Sequence, residues 1–194
     1  MRFTYYQKQK EDCPGYQPPW ILRIIHETTE TDLIEQENYH YRDWVSFSEA
    51  PPKKREDASE WHPTRFGNLI LDFDDKNELG HAQEDTQRCI VFLASLGFDL
   101  DTIKIFYSGS KGFHIEIPSE LLGMADGHEL LPLIYKRLVK EWIADAQLET
   151  VDLSIYCMGR GKMIRLPNRL RANGRYKIPL RYPPVSEFMS QKWG

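Results

Sequence analysis

Apolar and polar positions along this chain switch between two periods, and the switches mark out a short series of elements. The run from Phe66 to Phe73, with Gly67 near its head and an acidic cluster at its end, predicts a buried strand. Between Gly80 and Gly97 the apolar residues Ala82, Cys89, Ile90, Phe92, Leu93 and Leu96 recur on one face, with acids early and a glycine last, which predicts a helix. A strand from Ile103 to Tyr107, the turn Ser108-Gly109-Ser110-Lys111-Gly112 and a strand from Phe113 to Ile117 read as a hairpin. Leu131, Ile134, Tyr135, Leu138, Trp142 and Ile143 place a second amphipathic helix over Leu130 to Leu148, and a final strand is expected near Tyr176 to Leu180.

Upstream, aromatic residues are interrupted by Pro18-Pro19 and Pro51-Pro52. Short strands are expected near Arg2 to Tyr6 and Trp44 to Ser48, a strand or helix from Trp20 to about Glu27, and an exposed loop from Pro51 to Trp61. The downstream order of strand, helix, hairpin, helix and strand resembles a split β-α-β unit, with helices on one face of a mostly antiparallel sheet. The expected fold class is therefore α/β, in the α+β sense. The reading is one domain over residues 1–194, with an N-terminal α/β lobe over 1–60 and a motif-bearing core over 66–181.

Composition narrows the class. A chain of 194 residues with 41% hydrophobic and 28% charged residues buries one sizeable core, which excludes a disordered or membrane-embedded protein. The first residues carry no apolar run followed by a small-residue cleavage site, so the expectation is a cytoplasmic protein with no membrane partner. Cys13, Cys89 and Cys157 lie far apart without a CxxC pair, so neither a disulfide framework nor zinc is expected.

The formal net charge of -4 is not the sign of a nucleic-acid binder. Charge is distributed unevenly, however. From Arg160 to Arg181 there are eight basic residues and no acidic one, a local field suited to a polyanion.

Asp72 and Asp74 stand two apart at a strand end, so alternation sends both carboxylates to one face, about 6.6 Å apart along the backbone. Hard oxygen ligands so placed suit a pair of Mg2+ or Mn2+ ions about 3.5 to 4 Å apart. An acidic strand end is also an ordinary solvated turn, and Asp75 belongs to that turn. In Tyr107 to Pro118, Gly109 and Gly112 let backbone amides approach a phosphate while Ser108, Ser110, Lys111 and His114 offer donors. Asp152, followed by alternating Leu153 and Ile155, precedes the basic stretch at what reads as a strand edge.

Taken together, the D-x-D strand end, the S-G-x-x-G-x-H hairpin and an apolar-Asp followed by R-L-P-x-x-L resemble the three motifs of the archaeo-eukaryotic primase superfamily. That superfamily includes primase small subunits, primase-polymerases and the polymerase domains of bacterial end-joining ligases. The resemblance runs from about Leu69 to Leu180 and implies an RRM-like split β-α-β catalytic core. It further implies that Asp72, Asp74 and Asp152 are catalytic metal ligands for two Mg2+ or Mn2+ ions. Ser108, Lys111 and His114 would then hold the triphosphate of an incoming nucleotide, with Arg165 and Arg171 from the third motif. The implied activity is template-directed nucleotide transfer on single-stranded DNA from nucleoside triphosphates, with helicase or other replication or repair domains as partners.

The chain departs from the pattern at Arg169, where serine is usual, and at Arg171, where histidine is usual. The cysteine-rich zinc site of many primase small subunits is missing, which favours a compact primase-polymerase of a mobile element, plasmid, virus or defence system. An end-joining or repair-type polymerase domain of the same superfamily is an alternative, and two other readings stand beside it. One is a phosphohydrolase that attacks phosphate through the first Asp of a D-x-D strand end. The other is a single-strand-binding module without catalysis.

Overall fold

The computed structural model describes residues 2–8, 21–26, 39–50, 52, 60–75, 78–158, 162–170 and 173–181. In chain order the strands are β1 (Phe3–Lys8), β2 (Ile21–His26), β3 (Tyr41–Asp43), β4 (Ser46–Phe47), β5 (Arg65–Phe66), β6 (Leu69–Asp74), β7 (Lys104–Tyr107), β8 (Gly112–Ile117), β9 (Met163–Arg165) and β10 (Ile178–Leu180). Two α-helices, α1 (Leu79–Ser95) and α2 (Leu131–Ala146), follow β6 and β8. The fold is α+β, with two antiparallel sheets.

The first sheet is built on β1, which pairs with β2, β3 and β4. The segment expected as strand or helix near Trp20 is thus a strand over Ile21–His26. Strand β9 comes from the basic stretch far downstream and joins this sheet through β3, pairing Tyr41 with Arg165 and Asp43 with Met163. Most of the loop expected from Pro51 to Trp61 lies outside the described residues.

The second sheet has the order β10-β7-β8-β6. Alternation sorts its side chains. Leu69, Leu71 and Phe73 of β6 and Phe113, Ile115 and Ile117 of β8 join one apolar core with Ala82, Cys89, Ile90 and Leu93 of α1 and Tyr135 and Val139 of α2. Helix α1 gives up its buried face at helical spacing, which its packing on β6 and β8 demands. It ends at Leu96, followed by Gly97 with φ of +85°, a conformation that a side chain disfavours. Helix α2 begins with Pro132 in its first turn and stops at Gln147, which is left-handed with φ of 52°. The core continues into the first sheet through Tyr5, Trp44, Val45 and Phe47.

The split β-α-β unit is present, but its returning strand is not the one expected. Val151, just after α2, bridges Phe73 in antiparallel sense at the open edge of β6. The order Val151, β6, β8, β7 is the split arrangement, and β10 extends the sheet beyond β7 through Ile178↔Tyr107 to Leu180↔Ile105. The chain does not run on as a strand past Asp152, either. Leu153–Ile155 form a 3-10 turn, because the Asp152 side chain accepts from the Ser154 amide and draws the backbone round. Tyr156, fully buried, then anchors the turn by donating to the Ile70 carbonyl.

No helix among the described residues is long and apolar enough to cross a membrane.

Candidate functional site

The even positions of β6 face away from the helices. Asp72 pairs with His114 and Asp74 with Gly112 across the β6–β8 ladder, so the first two motifs share one sheet face. Gly112 is required there by space, since a Cβ would sit 1.6 Å from the Phe73 carbonyl oxygen. Opposite this face stands the β3–β9 edge of the first sheet. Between them is a cleft of about 180 Å³, walled by Asp72, Asp74, Ser108, Lys111 and His114 on one side and by Tyr41, Lys162 and Arg165 on the other.

Each acid in or beside the cleft is met by a basic side chain. His114 Nε2 lies 3.2 Å from Asp72 Oδ1, Lys111 Nζ 3.5 Å from Asp74 Oδ2, and Lys162 Nζ 2.5 Å from Asp152 Oδ2. Burial and the adjacent charge of Asp72 push the Asp74 carboxyl above its ordinary value, with Lys111 and His114 offsetting part of the rise. Burial also opposes ionisation of Asp152, but hydrogen bonds from Lys162 and Ser154 outweigh it and hold that carboxyl low. Tyr156 lies beneath the acids, its hydroxyl held well above its usual range by burial and then by the charge of Asp72.

Asp152 reaches the site through its backbone. Its amide donates to the Asp72 carbonyl at 2.8 Å, and the Asp74 amide donates to the Thr150 carbonyl at 2.9 Å. That register sets Asp152 directly opposite Asp72, and such pairs carry their Cβ atoms about 4.5 to 5.5 Å apart on one face. The carboxylate itself is committed elsewhere, accepting from the Ser154 amide at 2.8 Å and the Ser154 hydroxyl at 2.9 Å as well as from Lys162. Asp72 and Asp74 therefore come as a pair without a third ligand alongside. Among the described residues no group of three or more His, Cys, Asp or Glu side chains is arranged to hold a metal ion.

The hairpin is closed by the Ser108 amide donating to the Gly112 carbonyl at 2.9 Å, with Gly109 at φ of +81° making the turn. The Asp75 amide donates to the Lys111 carbonyl at 3.1 Å, which ties the turn to the end of β6. Ser108 and His114 are buried, whereas the Lys111 side chain is 43% exposed and free to swing.

Arg165 is buried on β9. Its Nη1 donates to the Leu170 carbonyl at 2.9 Å, its Nη2 to the Tyr41 hydroxyl, and its guanidinium lies 4.3 Å from the centre of the Tyr41 ring. Arg171 lies outside the described residues. The basic stretch is not uniformly solvated. Lys177 is buried, donates to the Arg165 carbonyl at 3.0 Å and covers the Phe106 ring.

Sequence reasoning singled out neither Tyr41 nor Lys162 as a member of the cleft. Tyr41 was one aromatic among many and Lys162 one of eight basic residues, and only the β3–β9 pairing brings them together. Most of the N-terminal aromatics with described side chains, including Tyr5, Tyr6, Tyr39, Trp44 and Phe47, are buried core.

No family model matches the chain, and no curated protein matches it. Among solved structures, the polymerase domain of Mycobacterium tuberculosis Ligase D, determined in complex with DNA, is 15% identical with a TM-score of 0.46 over 97% of this chain and 75% of that chain.

Proposed function

We propose that the chain is a template-directed nucleotidyltransferase of the primase and primase-polymerase kind, acting on single-stranded DNA. The observation that carries this reading is the pairing of Asp72 with His114 and Asp74 with Gly112, which brings the acidic strand end and the Ser108–His114 hairpin into one cleft facing Arg165. A phosphohydrolase reading leaves that basic, hydroxyl-bearing wall without a task.

The donor set fits a hard divalent cation. Two carboxylates share a face, and the Asp74 carboxyl, raised by burial and then by the adjacent Asp72 charge, would be favoured in its ionised form by a cation held there. Asp72 and Asp74 would hold it, joined by Asp152 once Lys162 gives way. Mg2+ or Mn2+ held there would supply Lewis acidity toward a 3′-hydroxyl and the attacked phosphate.

The remaining roles belong to side chains. Lys111, exposed and loosely paired, turns from Asp74 to the β- and γ-phosphates. Ser108 and His114, fixed by the sheet, orient the same oxygens without losing freedom at the moment of reaction. Arg165 adds a positive charge whose position is set by Tyr41 and the Leu170 carbonyl. The basic residues between Arg160 and Arg181 that stay in solvent track the template backbone.

The test is incorporation of labelled ribo- and deoxynucleotides on single-stranded templates, primed and unprimed, with Mn2+. Extension by the wild-type chain and about a thousandfold less by Asp72→Ala is the expected result. Binding of single strands with no incorporation by the wild type, or turnover of small phosphoesters in its place, would overturn the reading.

A further inference from the structure

Asp85 lies on α1, on the far side of the second sheet from the cleft, and is 1% exposed. A buried carboxylate is costly unless donors converge on it. Here they do. Oδ2 accepts the amides of Glu149 and Thr150, each at 2.6 Å, and the Thr150 hydroxyl at 2.9 Å, while Oδ1 accepts from Arg88.

The donors on Oδ2, Glu149 and Thr150, come from the stretch that leads from α2 to the site. The Thr150 carbonyl accepts the Asp74 amide, and two residues later the Asp152 amide donates to the Asp72 carbonyl. A short chain of hydrogen bonds thus runs from one carboxylate under the sheet to the edge of β6, where the Asp152 backbone is paired with that of Asp72. The bridge Phe73↔Val151 defines the register of this stretch against β6.

We propose that Asp85 is a positioning residue, which clamps Glu149 and Thr150 so that Asp152 is held opposite Asp72. Its consequence for cation binding rests on the function proposed above. Asp85 touches neither substrate nor metal and acts only through the 149–152 backbone. A general stabiliser of α1 would spread its effect over the helix, whereas a clamp concentrates it at two amides and one ligand.

The experiment measures amide hydrogen exchange and Mn2+ affinity on the full chain without nucleotide, for Asp85→Asn, Thr150→Val, Asp152→Ala and Asp85→Asn combined with Asp152→Ala. In Asp85→Asn the Asp74 and Asp152 amides are expected to exchange roughly tenfold faster while α1 amides keep their protection, and Mn2+ affinity is expected to weaken roughly tenfold. On the Asp152→Ala background Asp85→Asn should produce no further weakening, because the ligand it positions is gone. Thr150→Val, which removes one donor and leaves the carboxylate, should shift exchange in the same direction by less.

Unchanged protection at Asp74 and Asp152, or the same loss of affinity with and without the Asp152 side chain, would overturn the proposal. Wild-type protein whose Mn2+ affinity is indifferent to Asp72→Ala would overturn the nucleotidyltransferase reading instead, and the exchange data would still decide whether Asp85 clamps the stretch.

Discussion

Asp72 stands directly across the β6–β8 ladder from His114, with the imidazole Nε2 3.2 Å from its Oδ1. The other ring nitrogen, Nδ1, is buried without a hydrogen-bond partner among the described residues. The two side chains thus hold each other across the ladder.

The two members of the pair are expected to fail differently. Asp72→Ala should lower the rate of extension by about a thousandfold, about 4 kcal/mol of transition-state stabilisation, because a metal ligand is lost. His114→Ala should lower it by about 10- to 100-fold, because orientation is lost while the ligand remains. Single-turnover extension rates check the order, and an Asp72→Ala enzyme faster than His114→Ala would reverse the assignment.

Among the described residues the Lys111 side chain pairs with Asp74, at 3.5 Å and with much of its length in solvent, and an ion pair so exposed contributes little to stability. Lys111→Ala is expected to raise the KM for the incoming nucleotide about tenfold with kcat within about twofold, which is the pattern of lost ground-state binding. The same substitution removes a competitor for Asp74 and should tighten Mn2+ binding measured without nucleotide. Titration calorimetry reads the second effect, whose sign is opposite to the first.

Two glycines separate space from backbone freedom. Gly112→Ala must move the Phe73 carbonyl, which a new Cβ would approach to 1.6 Å, and is expected to cost about 3 kcal/mol. Gly97→Ala meets no atom within 4 Å and carries only the strain of φ at +85°, about 1 kcal/mol. Denaturant unfolding of the two variants gives both numbers directly.

Glu116 links the sheets, accepting from Asn68 at 2.8 Å and from Arg42 of β3 at 3.4 Å. Burial opposes its ionisation, but Arg42, Asn68, Lys177 and Lys104 together hold its carboxyl below the ordinary value. A carboxyl lowered on folding contributes stability that is complete above its unfolded pKa, about 4.3, and is lost as pH falls through the folded value. Asp85 is lowered in the same sense and adds to the same acid-side slope. Wild-type Tm should therefore fall below about pH 4.3, and Glu116→Gln should be less stable at neutral pH with a shallower acid fall. Parallel curves for the two proteins would remove Glu116 from the account.

The local parts of the site were legible in the sequence because they obey short periods. An apolar run with two acids at its end, a glycine-bounded hairpin and two amphipathic helices all appear within a few residues of their expected bounds. What stayed hidden was set by pairings distant in the chain. The sequence assigns no element to Met163–Arg165, whose partner β3 lies far upstream, and that pairing is what puts Tyr41 and Lys162 on the cleft. Val151 is one apolar residue and carries no strand period, yet it fills the fourth place of the split unit. Asp85 did leave a trace. It falls on the buried stripe of α1 with Ala82, Thr86 and Cys89, and an acid at such a position has to be satisfied by something across the core.

The most direct measurement is the anomalous scattering of Mn2+ in crystals grown with a non-hydrolysable nucleoside triphosphate. Manganese bound by Asp72, Asp74 and Asp152, with Lys162 displaced from Asp152 and the phosphates against Ser108, Lys111 and His114, is the predicted result. Manganese bound elsewhere, with Asp152 still paired to Lys162 and the triphosphate outside the cleft, would contradict it.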